Sequence, residues 1–159
     1  MNDSNSEISG FLIKINILHK AIMASPIMLG TVVYLLADNP YLLILNAWDL
    51  LLVFAISAIV LGFYLSGLFF KKYLSGISNN AQLSQKLERY QTAFLLKMVF
   101  LEMPALVSVA IFYLTQNLLY LIIVGGIVAY MSLQTPKKEN IILSLDLRGA
   151  ERDKINQAH

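Results

Sequence analysis

Glu102 is the residue that first invites a chemical reading. It stands inside the apolar run from Ala93 to Thr115, between Leu101 and Met103. At about 1.5 Å of rise per residue, it lies roughly 13 Å along a helix begun at Ala93, close to the middle of a bilayer. A carboxyl at that depth is costly and usually faces other helices. Three readings are open: it exchanges a proton or a cation, it hydrogen-bonds a neighbouring side chain and fixes helix register, or the span boundary is displaced and it lies in an aqueous crevice. Ser25 and Tyr64 fall at similar depth on the two preceding apolar runs, so their hydroxyls are the expected partners of Glu102. Lys97, five residues earlier, is expected to snorkel toward the headgroups rather than pair with Glu102.

The remaining chemistry is sparse. The absence of cysteine removes disulfides, thiol chemistry and Cys-ligated zinc. The two histidines are His19 and the last residue, His159, and His19 is expected at the membrane interface. Catalysis needs converging acid, base or metal groups. The chain offers no His pair, no paired carboxylates and no Gly-rich phosphate loop, so a non-enzymatic protein is expected, with no metal and no cofactor implied. The basic residues form no stripe interleaved with aromatics, so nucleic acid is not an expected partner.

These residues need a scaffold, and composition names its class. Of 159 residues, 57% are hydrophobic and 14% charged, with a mean hydropathy of +0.64 and a net charge of +2. Soluble domains carry roughly 45–50% apolar and about 25% charged residues. Too little charge remains to coat a water-exposed surface, and the hydrophobicity is too high for disorder. One integral membrane domain is expected. Residues 1–10 form a polar, slightly acidic stretch without the basic start and cleavage site of a signal peptide, so the first apolar run is expected to persist as a span.

The pattern predicts an all-α, polytopic four-helix bundle with spans at about 18–37, 48–70, 93–115 and 118–135. Asp38-Asn39-Pro40 ends the first, because the residue before proline avoids the helical region. Asn46 is placed to cap the second, Thr115-Gln116-Asn117 breaks the third from the fourth, and Pro136 stops the fourth. Tyr41 and Trp48 sit where an aromatic interfacial belt is expected. All twelve Lys and Arg then fall on one side: Lys14 and Lys20, Lys71 through Lys97, and Lys137 through Lys154. By the positive-inside rule both termini are cytoplasmic, in the plasma (inner) membrane.

Within this frame the chain echoes itself at an offset of 78 residues. Ala24–Asn39 (ASPIMLGTVVYLLADN) aligns with Glu102–Asn117 (EMPALVSVAIFYLTQN), matching Pro26 with Pro104 and Asn39 with Asn117. Two repeated helical hairpins are one reading, and both prolines are expected to kink their helices. Small residues allow close helix approach in lipid. Ala58, Gly62 and Ser66 on span 2, and Gly125, Gly126 and Ala129 on span 4, are the expected packing faces. Residues 81–90 read as an amphipathic helix running into span 3. The tail 136–159 carries an apolar cluster between charges, expected to lie on the membrane, to dock internally, or to meet a partner.

The run Leu95–Asn117 (LLKMVFLEMPALVSVAIFYLTQN) resembles a pattern of small, uncharacterised four-helix bacterial membrane proteins. It also resembles the ion-binding helix of rotary ATP synthase proteolipids, in which a mid-helix acid carries the ion. That likeness implies an ion-carrying Glu102 in an oligomer. The chain departs from it in having only Gly30 on span 1, where proteolipids carry a glycine-rich partner helix. The expected function is an accessory or assembly subunit of a larger membrane complex. The alternative is a proton- or cation-coupled component acting through Glu102. The bilayer and a membrane-protein partner, or further copies of the chain, are the expected partners.

Overall fold

The computed structural model describes residues 2–43, 50–77 and 81–157. Among these the protein is all-helical, with α1 Asn2–Leu35, α2 Leu50–Ser75, α3 Leu83–Thr115, α4 Leu119–Leu133, α5 Lys138–Ser144 and α6 Ala150–Gln157. Three of them, from Glu7, Leu50 and Leu83 onward, are long and apolar enough to cross a membrane. The number becomes four if α4 and α5, which meet at 77°, are taken as one broken span. Asn46 and Trp48, read above as a cap and an interfacial ring, lie outside the described residues.

α3 is the centre. In its most apolar stretch 44% of residues are buried, against 17% in α1 and in α2. Its buried face carries Leu87, Tyr90, Phe94, Met98, Leu101, Ala105 and Val109, spaced by three or four as one helical face requires. α1, α2 and α4 all pack on α3, and α1 also touches α4. α2 runs antiparallel to α3: Ala55 clusters with Ile111 and Phe112 at one end, and Phe70 meets Tyr90 edge-on at 6.0 Å near the other. α1 runs parallel to α3, with His19 beside Phe94 and Gly30 beside Val109. These pairs are offset by 75 and 79 residues, close to the repeat offset, so Pro26 and Pro104 stand at nearly the same height.

Both prolines lie inside uninterrupted helices. A proline lacks the N–H that would bond the carbonyl one turn back, so Pro104 leaves the Phe100 oxygen without its helical donor. Gly62 of α2 sits against that oxygen. A Cβ added at Gly62 would stand 2.6 Å from the Phe100 oxygen and 3.1 Å from the Pro104 ring. Glycine is required here because only a bare Cα can approach, and its C–H groups face the freed oxygen. Gly62 and Ser66 are buried, Ala58 is half-buried, and Ala55, one turn earlier on the helix, is fully buried. The second expected face is open within this chain. Gly125 and Gly126 are exposed with open space where a Cβ would be, and Ala129 is exposed too. Within the chain α4 packs through Tyr120, Val124, Ile127 and Met131.

Several boundaries move for tertiary reasons. α1 begins at Asn2, so residues 2–10 are helix rather than tail. Ile8 and Ile15 are buried with Leu87 and Ile155, which docks that end onto α3 and α6. α2 runs on through Lys71 and Lys72 to Ser75, and Lys72 complements the negative end of the helix dipole. The amphipathic stretch and span 3 form one helix. α4 is only 15 residues. After Pro136 the chain turns away, and Ile141, Leu147 and Ile155 enter the main core. Of the readings for the tail, internal docking is what the structure contains. Lys86 of α3 and Glu151 of α6 tie it down at 2.9 Å, with the lysine almost fully buried.

At the opposite end the loop after α1 clasps the α3–α4 turn. Gln116 takes a left-handed conformation, φ 57°, and its amide still bonds the Phe112 oxygen. The Tyr41 and Leu118 amides donate across the clasp to the Gln116 and Tyr41 oxygens. The buried Asn117 accepts from the Leu43 and Leu119 amides and donates to the Leu43 oxygen. These bonds offset the strained turn, and they satisfy backbone groups that would otherwise be exposed to lipid.

Candidate functional site

Glu102 sits at the margin of the buried face of α3. Leu101 and Ala105 beside it are fully buried, Met103 is 54% exposed, and Glu102 itself is half-buried. Among the described residues no hydrogen bond or ion pair engages its carboxyl. Ser25 is half-buried on α1 at the same height, but no bond joins the two. Tyr64 is 65% exposed on the outer face of α2, so the third expected member points away. Its helix face was unreadable because apolar residues surround it on all sides: a helix apolar all round has no stripe to orient it.

A denser constellation lies at the end of the molecule that gathers lysine and arginine. Lys97 pairs with no carboxylate among the described residues. Its ammonium donates to the Gln134 Oε1 at 2.6 Å and stands 5.1 Å from the centroid of the Phe70 ring, a cation–π contact. It borders a cleft of about 380 Å³ walled by Phe70, Tyr90 and Phe94, with Asn140 and Ser144 of α5 across the opening. The rings continue inward. Tyr90 stacks on Phe94 at 6.2 Å, and His19 lies 5.7 Å from Phe94 on the far side. His19 is 2% exposed, packed between helices, and neither ring nitrogen has a hydrogen-bond partner among the described residues. Burial of an unbonded imidazole is unfavourable, so the packing of α1 on α3 compensates for it.

Hairpin arithmetic would have found the Lys97–Gln134 pair. The two residues stand 19 and 18 positions on either side of Gln116, and in an antiparallel hairpin such residues face each other. No comparable signal marks the burial of His19, which depends on how α1 and α3 dock. Among the described residues, no three His, Cys, Asp or Glu side chains converge where a metal could be held. Compared with protein-family models, with curated proteins and with solved structures, the chain matches none.

Proposed function

We propose that the chain is a non-enzymatic, multi-pass membrane protein that serves as an accessory or assembly subunit of a larger membrane complex. In this reading its four spans form a bundle of two repeated hairpins, with both termini in the cytoplasm of an inner membrane. The parallel register of α1 and α3 and the matched heights of their prolines favour the repeat.

The observation that carries the subunit reading is the unfilled ledge on α4. Gly125, Gly126 and Ala129 are exposed at a height where membrane helices associate through small residues. Gly125 also borders an open apolar groove of about 300 Å³ shared with Pro26 and Gly30 of α1. A helix from a partner, or from a second copy, fits such a surface. Purification of the full chain in mild detergent should recover a stoichiometric companion, and Gly125→Leu should remove it while leaving the fold unchanged. A lone protomer from the wild type would overturn the reading.

The second reading is a proton- or cation-coupled component of an oligomer, and the unengaged carboxyl of Glu102 favours it. Glu102→Gln separates the two. Retained partner recovery with lost ion coupling in reconstituted vesicles supports coupling. Unchanged behaviour in both assays leaves Glu102 as a packing residue.

A further inference from the structure

We propose that the cleft beneath α5 binds the phosphate headgroup of an anionic phospholipid, with Lys97 as its cation. The inference rests on the membrane reading above and concerns a different surface from the ledge on α4.

Lys97 is a half-buried charge without a counter-charge. Among the described residues no carboxylate lies within ion-pair distance of it, and no acidic residue lines the cleft. Its one hydrogen bond, to Gln134, leaves two of the three ammonium hydrogens for a ligand. A cation held away from bulk water is stabilised by an anion that shares its enclosure, and phosphate supplies several acceptor oxygens at once. Asn140 and Ser144 add neutral hydrogen-bonding groups on the α5 side. The volume of about 380 Å³ falls within the range of small-ligand sites, roughly 300–1,000 Å³.

The level of the cleft selects a lipid as the source of that phosphate. Phe70 is followed directly by Lys71 and Lys72, and α4 ends one residue before Gln134. The cleft therefore opens where the apolar segments stop, at headgroup height. Its aromatic walls offer contact to the glycerol and the first acyl carbons, and its ammonium meets the phosphate. Basic pockets between spans at the positively charged side of a membrane suit such headgroups.

The test uses the full chain extracted in mild detergent and titrated with dioleoyl phosphatidylglycerol or dioleoyl phosphatidylcholine, with retained lipid counted by native mass spectrometry. The wild type should hold phosphatidylglycerol about fivefold more strongly than phosphatidylcholine, the ratio expected for one lysine at the membrane surface. Lys97→Gln should abolish that preference and Lys97→Arg should keep it. Asn140→Trp, an exposed position on α5, should block the cleft without removing charge, and it decides the matter if Lys97→Gln does not fold. Lys71→Gln should change nothing. Equal retention by wild type and Asn140→Trp would overturn the proposal. So would displacement of phosphatidylglycerol by millimolar inorganic phosphate, which would mark a site for soluble anions. Recovery of the chain in the soluble fraction without detergent would overturn the membrane reading itself, before any lipid is added.

Discussion

α1 and α3 share a sequence pattern and differ in almost everything that packing decides. Each is parallel to the other, carries its proline at nearly the same height and leads toward a polar turn with asparagine. Yet α3 is surrounded by α1, α2 and α4, while α1 presents Ile13, Ile17, Met28, Val32 and Leu35 outward. Each proline also has a glycine opposite it on an antiparallel neighbour, with contrary outcomes. Gly62 closes on Pro104 until no Cβ fits, whereas Gly125 stands beside the groove at Pro26 with space to spare. The lesson is that a proline in a membrane helix frees an acceptor, and that matched prolines need not be packed alike: Gly62 closes on Pro104, while no such close glycine contact meets the buried Pro26.

The largest expected effect breaks that contrast at its closed side. Gly62→Leu forces a side chain into the Phe100 carbonyl, and α2 must separate from α3. About 3 kcal/mol of stability should be lost, at the upper end of overpacking costs. Gly125→Leu should shift stability by less than about 0.5 kcal/mol, since it enters open space. Thermal unfolding of both variants in detergent measures the difference, and equal losses would erase the distinction between the two glycines. Next in size is the matched asparagine pair. Asn117→Ala removes one donor and one acceptor that together make three part-buried bonds, and should cost about 2 kcal/mol. Among the described residues Asn39 engages the clasp only through its backbone amide, which donates to Gln116 Oε1, so Asn39→Ala should cost less than about 0.5 kcal/mol. Comparable values for the two would mean that the halves are more alike than their packing implies.

Long apolar runs and the residues that interrupt them were readable because they act locally. Asp38-Asn39-Pro40, Thr115-Gln116-Asn117 and Pro136 end helices through their own backbone chemistry, and helices do end near each. The packing faces were only half readable. Gly62-Ser66 and Gly125-Gly126 are equivalent as patterns of small residues, and nothing within either pattern says which one meets another helix. The polar N-terminal stretch is helical because α6, about 150 residues away in sequence, covers Ile8, a fact no local rule contains. Glu102 was conspicuous because charge is rare in a span. The Lys97 cleft was inconspicuous because each of its parts has an ordinary explanation, and only their meeting makes it a site.

In the proposed four-span reading, the brevity of α4 bears on the surrounding bilayer. Fifteen residues span about 22 Å, against a hydrocarbon thickness of about 30 Å, while α1, α2 and α3 are all longer than that thickness requires. Lipid next to α4 must thin, or admit its headgroups deeper, to meet the elbow at Pro136. In that reading the hydrophobic belt is lopsided, deep on three flanks and shallow on one. A membrane pays for such a mismatch with elastic strain, which a second short helix could share by settling against the same flank. The dent beside α4 and the glycines it exposes would then draw a neighbour to one place for two independent reasons.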